Sequence, residues 1–228
     1  RPRLAQSLKD RWPEADGTML ARTAQHLLAV VHPPPDGLWT TSSQTTIVLA
    51  TDWIGSPTLA AEAREQLVLR YLGAFGPATP GDIRVWSGIT GVREVLQAME
   101  PRLIHRRDDL GRDLVDVQDG VIADPDVVVR PLLMARFDNA LQAYDDRGRI
   151  VAPDYRKLAT SESMVLIDGM VAGRWTYARS SSRKRPAQIS IELFGECPAG
   201  QLELLEAEAH ALLAFYAPGG GGRVTISR

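Results

Sequence analysis

Apolar residues recur at helical spacing over 4 to 12 (LAQSLKDRW) and again over 17 to 31 (GTMLARTAQHLLAVV), with the breaker run Pro13-Glu14-Ala15-Asp16-Gly17 between them. This pattern predicts a helix pair. Pro33-Pro34-Pro35-Asp36-Gly37 stops the second helix, and Leu38-Trp39 with Thr45-Thr46-Ile47-Val48-Leu49 reads as two short strands around the polar tip Thr40 to Gln44. Helix, turn, helix and a small hairpin is the order of a winged helix-turn-helix.

The order recurs after the linker-like Gly55-Ser56-Pro57. A long amphipathic helix is predicted over Leu59 to Phe75, closed by Gly76-Pro77. Thr79 before Pro80 is an N-cap with proline in the first turn, and it opens a short helix that Ser87-Gly88 ends. Thr90 is expected to cap a third helix, Gly91 to Met99, and Pro101 terminates it. Leu103-Ile104-His105 and Leu114-Val115-Asp116-Val117 then form a hairpin about Asp108-Asp109-Leu110-Gly111.

From Val127 the texture changes. A polar stretch runs through Asp154-Tyr155-Arg156-Lys157, followed by strands at Met164 to Ile167, Met170 to Tyr177 and Gln188 to Phe194. A helix from Ala199 to Tyr216 and a strand from Arg223 to Ser227 complete the chain. Asp168-Gly169 is a favoured two-residue hairpin turn, so the strands on either side of it are expected to be antiparallel neighbours. The expected fold class is therefore α+β, with tandem winged helix-turn-helix units followed by a sheet-centred C-terminal unit. The expected domains are 1–56, 57–126 and 127–228.

Composition narrows the function classes. The 228 residues are 44% hydrophobic and 24% charged, a globular composition, and no apolar run reaches the roughly 20 residues that span a bilayer. No membrane association is expected, and a cytoplasmic location is. One cysteine excludes an internal disulfide, and four scattered histidines give no metal-ligand spacing, so neither a metal nor a cofactor is expected. The chain enters its first helical pattern at Arg1 without a leader, from which a further upstream region is expected. The net charge of -2 argues against a wholly basic surface, but duplex binding needs only a local basic face.

Arg179-Ser180-Ser181-Ser182-Arg183-Lys184-Arg185 supplies that face: four of its seven residues are basic and none is acidic. Arg179, Ser181, Arg183, Lys184 and Arg185 are candidate phosphate contacts, with a solvated loop tip as the competing reading. Arg22, Gln25 and His26 share part of one helix face and are candidate base-edge contacts, unless they face solvent or a neighbouring unit. Thr41, Ser43 and Gln44 in the polar tip of the first unit are further candidates. In the second unit Arg93 and Gln97 are set against Glu94 and Glu100, which suits a scaffold better than a DNA reader. Asp108-Asp109 and Asp145-Asp146 read as turn formers. Trp39, Trp53, Trp86 and Trp175 read as core or domain-interface residues. Gly219 to Gly222 lacks the lysine and the strand-helix context of a phosphate loop.

These features resemble the AlkZ-like tandem winged-helix proteins, bacterial DNA glycosylases that excise bulky alkylated bases and unhook interstrand crosslinks. The resemblance is carried by Val31-His32-Pro33-Pro34 with Gly37-Leu38-Trp39, by Asp52-Trp53-Ile54-Gly55, and by Arg70-Tyr71-Leu72 with Phe75-Gly76-Pro77-Ala78-Thr79-Pro80. Trp86-Ser87-Gly88, Phe137-Asp138-Asn139, and Val165 to Gly169 with Val171 to Trp175 extend it over nearly the whole chain. It implies winged helices arranged around double-stranded DNA, and a C-terminal β-hairpin that contacts the duplex and corresponds here to the Tyr177 to Gln188 connection. It also implies a catalytic pair of glutamines separated by one residue in the N-terminal region. No Gln-x-Gln occurs here, and Gln6, Gln25 and Gln44 do not match it, so no catalytic residue is assigned. The family's Asp-Arg corresponds to Asp146-Arg147, for which only a structural role is expected. Two functions stay open: the DNA-gripping part of a base-excision enzyme, and a non-enzymatic DNA-binding regulator or scaffold with the same fold. Lesion, sequence preference and oligomeric state are not legible.

Overall fold

A computed structural model describes residues 2–36, 38, 46–55, 62–180 and 186–228. The chain forms two compact units, 1–61 and 62–228, of mixed α+β structure.

In the first unit, α1 (Pro2–Arg11) packs on α2 (Gly17–Leu27). Asp16 caps α2 by accepting from the Thr18 and Met19 amides, which offsets two of the donors a helix start leaves open. Gly17 lets the helices meet, because a Cβ there would collide with the Ala5 carbonyl oxygen.

The helix does not continue to Val31 as its apolar spacing suggests. Leu28 is already extended, and Val30–Val31 form β1, paired antiparallel with β2 (Val48–Leu49). Two consecutive β-branched residues lose side-chain freedom in a helix and keep it in a strand. The hairpin expected between Leu38-Trp39 and Thr45 to Leu49 is therefore corrected: Leu38 is in no strand, and Val30–Val31 takes the partner's place. Trp39 and Thr45 lie outside the described residues. A short helix, α3 (Ala50–Ile54), follows β2 where none was expected. Trp53, expected as a core or interface residue, is 55% exposed.

The second unit begins with α4 (Ala63–Phe75), α5 (Pro80–Ser87) and α6 (Val92–Ala98), then the antiparallel hairpin of β3 (Leu103–Arg107) and β4 (Asp113–Val117). Ala78 bridges to Val115 through two backbone hydrogen bonds of 2.8 and 3.0 Å. Tyr71, Leu72, Ile83, Leu96 and Met99 form the centre of this core. Thr79 caps α5 as expected, but Thr90 does not cap α6. Gly91 occupies that position with φ +72°, a left-handed entry that glycine adopts at little cost and threonine does not.

The rest of this unit is a five-stranded sheet in the order β5 (Leu132–Leu133), β6 (Ser163–Ile167), β7 (Met170–Ala178), β8 (Gln188–Leu193), β9 (Arg223–Ser227). All neighbours are antiparallel except β8 and β9. Asp168 (φ +50°) and Gly169 (φ +77°) form the two-residue turn joining β6 and β7. At Gly173 a Cβ would lie 2.6 Å from the Glu192 carbonyl oxygen, so glycine is what lets β7 and β8 approach beside the irregular register near Val165.

Both faces of β6 are covered. Val165 and Ile167 face α7 (Ala199–Tyr216), whose stripe Leu205, Ala209 and Leu213 is buried; Met164 and Leu166 pack with Leu141, Val151 and Ala159. The stretch 139–160, which includes the segment read as polar through Asp154-Tyr155-Arg156-Lys157, contains four short 3-10 turns that deliver those apolar side chains to the sheet.

Among the described residues, hydrogen bonds join 62–119 to this region within one compact unit. The Tyr71 hydroxyl donates to the Ala143 carbonyl (2.6 Å), the Tyr144 hydroxyl to the Phe75 carbonyl (2.8 Å), and the Asp145 amide to the Asp82 carboxylate (2.8 Å). Burial pushes the Tyr71 phenol well above its usual range, reinforced by the nearby Asp82 charge, so it remains a donor.

Candidate nucleic-acid interface

The connection between β7 and β8, residues 179–187, carries the most basic segment of the sequence. The strands that bear it are paired without interruption from Gly173↔Leu193 to Ala178↔Gln188. Its base is clamped on both sides. The Tyr177 ring stacks on Tyr216 with centroids 4.5 Å apart, and its hydroxyl donates to the Tyr216 carbonyl at 3.3 Å. Toward β9, the Gln188 side-chain Nε2 donates to Ser190 Oγ (2.9 Å) and Thr225 Oγ1 (3.2 Å), and the Arg223 backbone amide to the Ala187 carbonyl (2.8 Å). Arg179 and Ser180 are exposed at the end of the ladder. Ser181, Arg183, Lys184 and Arg185 lie outside the described residues. A cationic segment on a braced hairpin suits phosphate contact, since little of its supporting backbone must be ordered on binding.

On α2, Arg22 and His26 are exposed. Gln25 is half-buried and turns back on its own helix, donating to the Ala21 carbonyl at 3.0 Å. The face expected to offer three side chains thus presents two at the surface and one engaged locally. Thr41, Ser43 and Gln44 lie outside the described residues. On α6, Arg93, Glu94 and Gln97 are all exposed.

Sequence reasoning missed a charged clasp between the β3–β4 hairpin and the 139–156 region. Asp108 shapes its turn by accepting from the Leu110 and Arg112 amides, and binds the Arg112 guanidinium at 2.6 Å. Arg112 reaches on to Asp146 at 3.4 Å, which also faces Arg156 at 3.7 Å. Arg149 lies 4.1 Å over the Tyr144 ring. A cavity of about 130 Å³ is enclosed by Asp82, Asp108, Arg112, Leu114, Asp146 and Arg149. Only the local half of this was legible: Asp146 caps a turn by accepting from the Gly148 amide, as an aspartate before a small turn does.

That amide bond, followed by the Arg112 and Arg156 charges, holds the Asp146 carboxyl below the usual range. A depressed folded value means that its contribution is present above the unfolded value of about 3.9 and is lost as pH falls through the folded value. The clasp should therefore be intact at neutral pH and open only in acid. Carboxyl NMR of Asp146 is expected to show a midpoint below that of an ordinary aspartate, and a midpoint at or above it would show that the clasp does not form.

Among the described residues no group of three His, Cys, Asp or Glu side chains is placed to hold a metal, and no helix is long and apolar enough to cross a membrane.

No curated protein sequence gives a significant match to the chain. Among solved structures, the DNA glycosylase AlkZ of Streptomyces sahachiroi matches with a TM-score of 0.67 and 22% sequence identity. The match covers 98% of this chain and 62% of that protein, so the chain spans less than two thirds of its length. The sequence model of the AlkZ-like DNA glycosylases matches residues 1–215, nearly the whole chain. Together with the α+β architecture, this shows that the chain belongs to the AlkZ-like DNA glycosylase family.

Proposed function

We propose that this chain is the DNA-gripping part of a DNA repair glycosylase for bulky alkylated or crosslinked bases, working on bacterial chromosomal DNA in the cytoplasm. The observation that carries the reading is the braced β7–β8 hairpin with four basic residues and no acidic one between Ala178 and Pro186. Arg179, Arg183, Lys184 and Arg185 contact phosphates, with Ser181 as a further donor. Arg22 and His26 on α2 and the segment with Thr41, Ser43 and Gln44 make a second contact. In this reading residues 1–56 and 57–126 act as winged helices, and 127–228 carries the hairpin. The bridge from Ala78 to Val115 beside the β3–β4 hairpin supports that assignment for the second of these.

Removing a damaged base requires taking it out of the stack and placing a polar group beside the anomeric carbon. The paired glutamines that the resemblance implies for that step are absent from these residues. The test is a titration of the purified chain against labelled duplex DNA between about 50 and 200 mM salt, with base release from alkylated duplex followed in parallel. Saturable binding that weakens steeply with salt is expected, without base release. Absence of binding at the low-salt end would overturn the DNA-gripping reading. Saturable base release would place hydrolytic chemistry within these residues after all.

A further inference from the structure

The register of the five-stranded sheet sorts its connections to two ends. β5 runs antiparallel to β6, with Leu132↔Leu166 and Leu133↔Val165, and the Met134 amide bonds to the Met164 carbonyl in the same direction. β6 begins at Ser163 opposite Trp175, and β7 continues past that point to Ala178. The chain leaving β5 through Ala135, Arg136 and Phe137 therefore emerges at the sheet end that carries the 179–187 connection. The parallel pair Gln188↔Arg223 puts the start of β9 there too. Arg136, Phe137, Arg179 and Arg223, all exposed, share this end.

Phe137 is held against two ordinary preferences. It is 63% exposed, and its φ is +61°, a left-handed conformation in which a bulky side chain is strained. The turn around it is fixed on both sides. The Trp175 indole donates to the Met134 carbonyl at 2.8 Å before it. After it, the Asp138 side chain accepts from the Ala140 amide at 2.9 Å and the Leu141 amide bonds to the Asp138 carbonyl at 3.1 Å. The neighbouring Asp138 carboxylate is committed to this turn. A fixed turn thus presents an exposed aromatic ring at the sheet end that also carries Arg136, Arg179 and Arg223.

We propose that Phe137 is an apolar wedge that stacks on a base step of the duplex held by the hairpin, while Arg136 faces the adjoining phosphate; this rests on the DNA-gripping reading above. A ring inserted at a step unstacks it, and stacking on a base is indifferent to which base it meets.

The test compares the chain with Phe137→Ala, Phe137→Gly and Phe137→Trp, using duplex DNA that carries a fluorescent adenine analogue as the stacking reporter. Glycine fits the left-handed turn, so Phe137→Gly should melt at the same temperature as the parent chain or higher, which separates loss of the ring from damage to the turn. The alanine and glycine variants should bind about 5- to 150-fold more weakly with an unchanged salt slope, because the ring carries no charge. They should also lose the fluorescence rise on binding, and Phe137→Trp should keep both. Parental affinity and fluorescence in the alanine and glycine variants, alongside weakened binding by a hairpin-charge variant, would overturn the wedge and leave the gripping reading standing. Failure of the parent chain to bind duplex DNA would overturn both.

Discussion

Replacing Arg179, Arg183, Lys184 and Arg185 together with alanine should flatten the salt dependence of duplex binding by roughly 2 to 3.6 in the slope of log affinity against log salt. The size follows from counterion release. Each phosphate contact contributes about 0.9 to that slope, and two to four contacts are expected from four cations on one connection. Near physiological salt the same loss lowers affinity on the order of 30- to 1,000-fold. The decrease should be similar for all duplex sequences, because phosphate contacts carry no direct base information. Stability should change by no more than about 0.5 kcal/mol, because the ladder and its clamps end at Tyr177, Ala178 and Gln188, and the exposed Arg179 lies beyond them. An unchanged slope in a normally folded variant would make this connection a solvated loop. The DNA-facing surface would then have to be sought on α2, around Arg22 and His26.

Asp82→Ala should be the most damaging single substitution at the junction within residues 62–228, costing about 3 kcal/mol. Asp82 is 7% exposed and accepts from three donors: the Thr79 amide (2.8 Å) and hydroxyl (2.7 Å) on one oxygen, and the Asp145 amide (2.8 Å) on the other. Removing it breaks the reciprocal cap of α5, worth about 0.5 to 2 kcal/mol. It also leaves the Asp145 amide without its acceptor, a further cost of about 1 to 3 kcal/mol if water cannot replace it. For a unit of this size the sum corresponds to a fall in melting temperature of about 6 to 12 °C. Asp82→Asn should fall between, because an amide keeps one accepting oxygen and turns donor hydrogens toward a donor on the other side. Thermal melting followed by circular dichroism measures both variants. A fall of less than about 2 °C for Asp82→Ala would show that the junction does not depend on this carboxylate.

Features set within a few neighbouring residues were legible. Thr79 with Pro80 specifies a helix start, Asp168-Gly169 specifies a tight reversal, and the continuous apolar run of β6 and the alternating apolar residues of β7 and β8 specify strands, because caps, turns and pleats are decided over two to eight residues. The basic segment 179–185 was legible for the same reason, as was the family resemblance carried by short motifs along the chain.

Where two local readings competed, tertiary pairing chose between them. Val30–Val31 satisfy helical spacing, yet they pair with Val48–Leu49 because a β-branched pair gains more from a ladder than from one more helical turn. Gly91 rather than Thr90 begins α6, since the chain must enter that helix through a left-handed residue. The stretch through Asp154-Tyr155-Arg156-Lys157 reads as polar, and only the sheet packed beside it shows that Leu141, Val151 and Ala159 around it face inward. Short 3-10 turns bury side chains without the long periodicity that would announce them.

Asp82 as a junction, Arg112 bridging to Asp146, and Phe137 at the same sheet end as the basic hairpin join residues 34 to 63 positions apart. The sequence alone determined the helix caps, tight turns and strands that are set locally, and the charge behind the DNA reading. Only the tertiary structure decided which of these stand together, because hydrogen-bond partners and strand register are properties of contacts between distant segments, and no local pattern encodes them.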